Sequence, residues 1–84
     1  MNNRKSQLTK CLEYVRRFKC CTVGDLNDAA NSNYSHFYIT KMVKAGILSP
    51  DTQKNKTKTG YFYMWFAMPI DWNQVDMQKC VLNT

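Results

Sequence analysis

Histidine occurs once in the 84 residues, at His36. No two cysteines have C-x-x-C spacing, no glycine-rich phosphate loop is present, and no nucleophile motif occurs. A lone imidazole without partner ligands makes neither a catalytic dyad nor a zinc site. These absences argue against an enzyme, a metal or other cofactor, and a small-molecule substrate. Long apolar runs are also missing, so no segment reads as a membrane span. The opening residues, MNNRKSQLTK, lack the apolar core of a signal peptide. Cys11, Cys20, Cys21 and Cys80 do not make a disulfide framework; free, buried thiols in a reducing cytoplasm are expected. Acidic residues are scarce: 6 Asp and Glu stand against 12 Lys and Arg, a formal net charge of +6. That excess on a small domain points to a polyanionic partner, nucleic acid ahead of an anionic membrane surface, with solubility alone as the plainer reading.

What is present is one small domain. A chain of 84 residues supports a single modest core, and a hydrophobic share of 44% favours folding over disorder except at the two ends. Arg4 to Cys20 reads as an amphipathic helix with Leu8, Cys11, Leu12, Val15 and Phe18 on one apolar stripe. Lys10, Arg16 and Arg17 lie off that stripe. Arg16, Arg17 and Lys19 suit the negative end of a helix dipole, which accounts for them without any partner. Thr22 and Asp25 then have capping-box spacing, opening a short helix with Leu26, Ala29 and Ala30 as its small apolar face.

Asn31, Ser32 and Asn33 are turn residues. A third helix should start near Ser32 or Asn33 and run to about Ala45. Its inner stripe is expected at Ile39, Met42 and Val43, with Ser35 one turn earlier. Gly46 suits the left-handed position that closes a helix, and Ile47 and Leu48 begin a strand. The polar stretch from 49 to 60 carries Lys54, Lys56 and Lys58 and reads as a long hairpin tip. YFYMWFAM, 61 to 68, is the strongest strand, ended by Pro69. Tyr61, Tyr63 and Trp65 share one face, and Phe62, Met64 and Phe66 the other. One face should cover the helices; the other meets either the C-terminal segment or a second subunit. The last residues are expected to form a short helix capped by Asp71, with Gln74 at capping-box spacing and Trp72, Val75 and Leu82 turned inward.

This order of elements resembles the winged helix-turn-helix domain of bacterial and phage regulators. The resemblance covers about Gln7 to Met68 and rests on TVGDLNDAA as the first helix of the motif and NSNYSHFYITKMVKAGIL as the second. One departure is the NSN turn, where the family carries a small apolar residue near the start of the second helix; this leaves the register of that helix open by a residue. The fold expected is α+β, a three-helix bundle with a β-hairpin wing. It forms one domain, 1–84, with its core at about 7–68 and a C-terminal extension at 69–84.

The resemblance implies double-stranded DNA as partner, with the second motif helix in the major groove. Base contacts are then expected from Ser32, Asn33, Tyr34, Phe37, Tyr38 and Lys41. Asn pairs bidentately with adenine, and ring edges suit the thymine methyl. Tyr34 and Phe37 have the alternative of packing on the wing strand, and His36 reads as a surface or packing residue. Thr22, Lys44, Lys54, Lys56 and Lys58 are the expected backbone and wing contacts; the alternation of the last three puts them on one side of an extended segment. A solvated hairpin tip is the plainer account of those three. A homodimer joined through Tyr61, Tyr63, Trp65 and Trp72 would double the half-sites read. The implied role is a cytoplasmic, nucleoid-associated transcriptional regulator of a phage or mobile element. The rival role is a protein-interaction module, such as a small phage inhibitor of a host nucleic-acid-binding enzyme.

Overall fold

The computed structural model describes residues 4–33, 35–51, 55 and 63–82. Within them the chain is a small α+β domain: three α-helices and a small antiparallel sheet. Helix α1 spans Arg4–Phe18, strand β1 Cys20–Cys21, helix α2 Val23–Ala30 and helix α3 Ser35–Lys44; strands β2 and β3 span Leu48–Pro50 and Trp65–Ala67. A two-residue strand β1 was not anticipated. It pairs antiparallel with β3, which also pairs with β2, so the sheet order is β1–β3–β2.

Helix α1 buries Leu8, Cys11, Leu12 and Val15 as its spacing requires. Phe18 departs from the expectation and is 51% exposed. At 3.6 residues per turn, Phe18 drifts to roughly 70° off the centre of the stripe. It lies instead against Tyr14, with ring centroids 4.5 Å apart, and the Arg17 guanidinium sits 5.3 Å from its ring centre. Lys19 then takes a left-handed φ of 67° and turns the chain into β1.

Helix α2 opens on the expected capping box. The Asp25 amide donates to the Thr22 hydroxyl at 3.2 Å, and the Thr22 amide donates to the Asp25 carboxylate at 3.0 Å. Asn31, at φ 49°, closes it in the left-handed conformation that Asn tolerates. Turn residues Asn31–Asn33 follow, and α3 packs against both α1 and α2.

Helix α3 buries Ser35, Tyr38, Ile39 and Met42. Val43, expected inside, is 38% exposed, and Tyr38, expected outside, is 1% exposed. Positions 35, 38, 39 and 42 are one helical stripe, and Val43 lies about 90° from it by the same 3.6-residue period. The helix ends at Gly46 as foreseen: its φ is 79°, its amide donates to the Val43 carbonyl at 3.1 Å, and the Ile47 amide donates to the Met42 carbonyl at 2.8 Å. These two bonds form a Schellman motif, with buried Ile47 beside buried Met42.

Beyond β3 the expected last helix is absent. Asp71 caps a single 3-10 turn, Trp72–Gln74, and the chain then forms a two-stranded hairpin, β4 Val75–Asp76 and β5 Val81–Leu82. Asp76 explains the change. Its carboxylate accepts from the amides of Gln78 and Lys79 at 3.0 and 3.1 Å, a local turn that competes with helix. Val75 and Cys80 are buried in the core, with Ile70, Trp72 and Met77 packed against it. Leu82, expected inward, is exposed. The extension therefore covers part of the domain's own core.

Candidate nucleic-acid interface

The outward side of α3 follows directly from its buried stripe. Phe37, Thr40, Lys41 and Lys44, at helical steps of three and four, are all exposed, and Asn33 is exposed just before the helix. Helix α3 contains no carboxylate. The Lys41 ammonium lies 5.0 Å from the centre of the Phe37 ring, so cation and ring present one joint surface. Phe37 is 48% exposed and touches Tyr38 only edge-on, at 5.9 Å between centroids. The Thr40 hydroxyl donates back to the His36 carbonyl at 3.1 Å. Thr40 was missed in the sequence reading, although its spacing from Phe37 and Lys44 marks it.

Tyr38 is the principal correction. Its ring is in the core and its hydroxyl donates to Gln7 Oε1 at 2.8 Å, so it makes no base contact in this conformation. A buried phenol needs such a partner, and Gln7, 8% exposed, supplies it. Ser32 is half-buried, its amide donating to the Asn27 carbonyl at 3.1 Å. Thr22 is likewise engaged: the Asp25 carboxylate already occupies the start of α2, where a phosphate was expected. Tyr34, Lys54, Lys56, Lys58 and Tyr61 lie outside the described residues.

The base of the β2–β3 connection is fixed by Asn55, which is 5% exposed. Its side-chain amide donates to the Met64 carbonyl and its Oδ1 accepts from the Met64 amide at 2.7 Å, so one side chain stands in for a strand residue opposite Met64. The Asp51 amide donates to the same Met64 carbonyl at 2.9 Å. This latch has no counterpart in the sequence reading, where Asn55 is one polar residue among many.

The expected dimer face is also altered. Trp65 pairs with buried Cys21 and packs against the core, and Trp72 packs there too, with Lys19 Nζ 5.8 Å from its ring centre. Tyr63 leans on Trp65 at 4.9 Å between centroids. Phe66, on the opposite face of β3, is the more exposed ring. Inside the domain, burial pushes the thiols of Cys11 up to about 11 and of Cys21 and Cys80 up to about 12, so all three are protonated at neutral pH. Cys20, expected buried, is exposed, because it faces away from the helices in register with Phe66. The chain matches no protein-family model, no curated protein and no solved structure.

Proposed function

We propose that the protein is a winged-helix DNA-binding protein that reads duplex DNA with α3 in the major groove. The observation that carries the reading is the acid-free outward face of α3, with Asn33, Phe37, Thr40, Lys41 and Lys44 side by side and exposed. Asn33 offers the bidentate amide that adenine takes, and the Phe37 ring and Thr40 methyl suit thymine. Lys41 and Lys44 supply charge toward guanine or the backbone. The element order and the β1–β3–β2 sheet are compatible with a winged-helix layout. The loop between β2 and β3 is then the wing, with Lys54, Lys56 and Lys58 on the backbone or in the minor groove. The role that fits is a small transcriptional regulator of a phage or mobile element, acting as a homodimer on two half-sites. Phe66 is the better candidate for the dimer contact, since Trp65 and Trp72 pack inward and Tyr63 leans on Trp65.

A second reading, a protein-interaction module such as an inhibitor of a nucleic-acid-binding enzyme, is favoured by one observation. Exposed Phe18 with Tyr14 and Arg17 forms an aromatic and cationic patch away from α3, lining an open groove with Lys10, Glu13 and Ala29. Selection from a random duplex pool separates the two. A two-fold symmetric motif, bound with a steep salt dependence, supports DNA reading. No enrichment at low salt would leave the interaction module as the better account.

A further inference from the structure

We infer that the C-terminal hairpin adds a phosphate contact to the DNA-binding surface: Lys79 joins Lys41 and Lys44 in gripping the duplex backbone beside α3. The inference rests on the DNA-binding reading above. The three lysines line one open groove of about 290 Å³ between the end of α3 and the turn of the β4–β5 hairpin, with Ala45, Cys80 and Val81. No carboxylate lines it among the described residues.

Lys41 and Lys44 alone have an ordinary explanation, since cations suit the last turn of a helix. Lys79 does not share it. It comes from another element, and the backbone brings it to two like charges. Like charges gathered around a groove repel one another, and an anion between them removes that cost.

The turn that presents Lys79 is tightly specified. The Asp76 carboxylate accepts from the Gln78 and Lys79 amides, and the Asp76 carbonyl accepts from the amides of Lys79 and Cys80 at 3.2 and 2.8 Å. Cys80 holds a left-handed φ of 57° with its side chain buried, which anchors the turn in the core. The Asp76 carboxylate in this turn is therefore engaged with backbone amides. A phosphodiester is the favoured anion, because the groove continues from the α3 face that meets the duplex. A lipid headgroup shares the chemistry but lacks that continuity.

The test uses the full chain and a selected duplex. Lys79→Gln is expected to melt with the parent, to weaken binding to all duplexes by one factor, and to flatten the log–log salt dependence by about 0.9, one phosphate contact. Lys79→Arg, which keeps the charge, should retain the parent slope. In the parent, adding duplex should shift the amide resonances of Ala45, Lys79 and Val81. A parent that binds duplex with those resonances unmoved, or a Lys79→Gln slope equal to the parent's, overturns the hairpin contact and leaves the DNA reading standing. A parent that binds no duplex at low salt overturns both. If phosphatidylglycerol vesicles then shift the same resonances, the groove belongs to a lipid surface.

Discussion

The hydroxyl of Tyr38 on α3 donates to Oε1 of Gln7 on α1 at 2.8 Å, and both side chains are buried. One hydrogen bond thus ties the helix that carries exposed Phe37, Thr40, Lys41 and Lys44 to the first helix of the domain. It holds the rotation of α3, because Tyr38 and Ile39 are inside only in one rotation.

Removing the hydroxyl should register as lost stability and not as lost sequence preference. Tyr38→Phe strands a buried amide oxygen, which costs about 1–3 kcal/mol. Urea unfolding should show the unfolding free energy falling by that amount, as a lower midpoint with little change in slope. A double-mutant cycle with Gln7→Met should return a positive coupling between the two sites. Specific and non-specific duplex affinity, measured well below the midpoint, should fall together or not at all.

The outward face should behave in the opposite way. Asn33→Ala, Phe37→Ala and Thr40→Ala replace exposed groups, so each should move stability by no more than about 0.5 kcal/mol. Each truncation that removes a base-reading group should cost about 1–3 kcal/mol at the selected site while sparing unrelated duplexes. Competition binding with cognate and scrambled duplexes reads the difference. Equal affinity of all three variants for the cognate site would remove α3 as the reading element.

Asn55 makes a sharper claim than its surroundings suggest. Asn55→Ala deletes both side-chain bonds to the Met64 backbone and leaves that amide without its partner. A loss of about 1–3 kcal/mol is expected. Amide exchange should accelerate at Met64, while the amides of α1 keep their protection.

The thiols predict a pH dependence. Cys11, Cys21 and Cys80 have folded pKa values of about 11, 12 and 12, raised from 9.0 by burial. Between the unfolded and folded values the native state holds more protons, so stability falls as pH rises. The full contribution is present below pH 9, and each thiol removes at most about 1.4 kcal/mol per pH unit from there up to its folded pKa. Chemical unfolding at pH 8 and pH 10 should show the drop, and Cys80→Ser should reduce its slope. Iodoacetamide at pH 8 should label Cys20 alone in the native protein, since it is the exposed thiol.

Much of the fold was legible because its signals are local. The stripe of α1 from Leu8 to Val15, the Thr22–Asp25 box and the Gly46 ending all depend on residues within one or two turns, and each appears as expected. What failed depends on partners far along the chain. Tyr38 looks like a surface ring until Gln7 supplies an acceptor for its hydroxyl. Strand β1 is too short to carry an alternating pattern and exists only because β3 lies alongside it. The last segment has good cap spacing at Asp71 and Gln74, but a second aspartate, Asp76, captures the next amides and bends the chain back. In the candidate site, Phe37, Lys41 and Lys44 were expected from the family resemblance, and helical spacing places all three outside. Thr40 was legible by the same rule, and Lys79 was not, since no local pattern brings residue 79 to the end of α3.

The central position of β3 sets an order of events in folding. Helices α1, α2 and α3 all precede β3 in the chain, and so do both strands that flank it. During synthesis the helices can form and meet as they leave the ribosome, because their partners are close in sequence. Strands β1 and β2 cannot pair with each other across the gap that β3 will fill. Until Trp65–Ala67 emerges, both expose unpaired backbone amides and carbonyls, the template on which two nascent chains join edge to edge. The arrival of three residues then closes the inner edge of each together. A chain truncated before Trp65 should therefore aggregate more readily than the full chain, because both inner edges stay open.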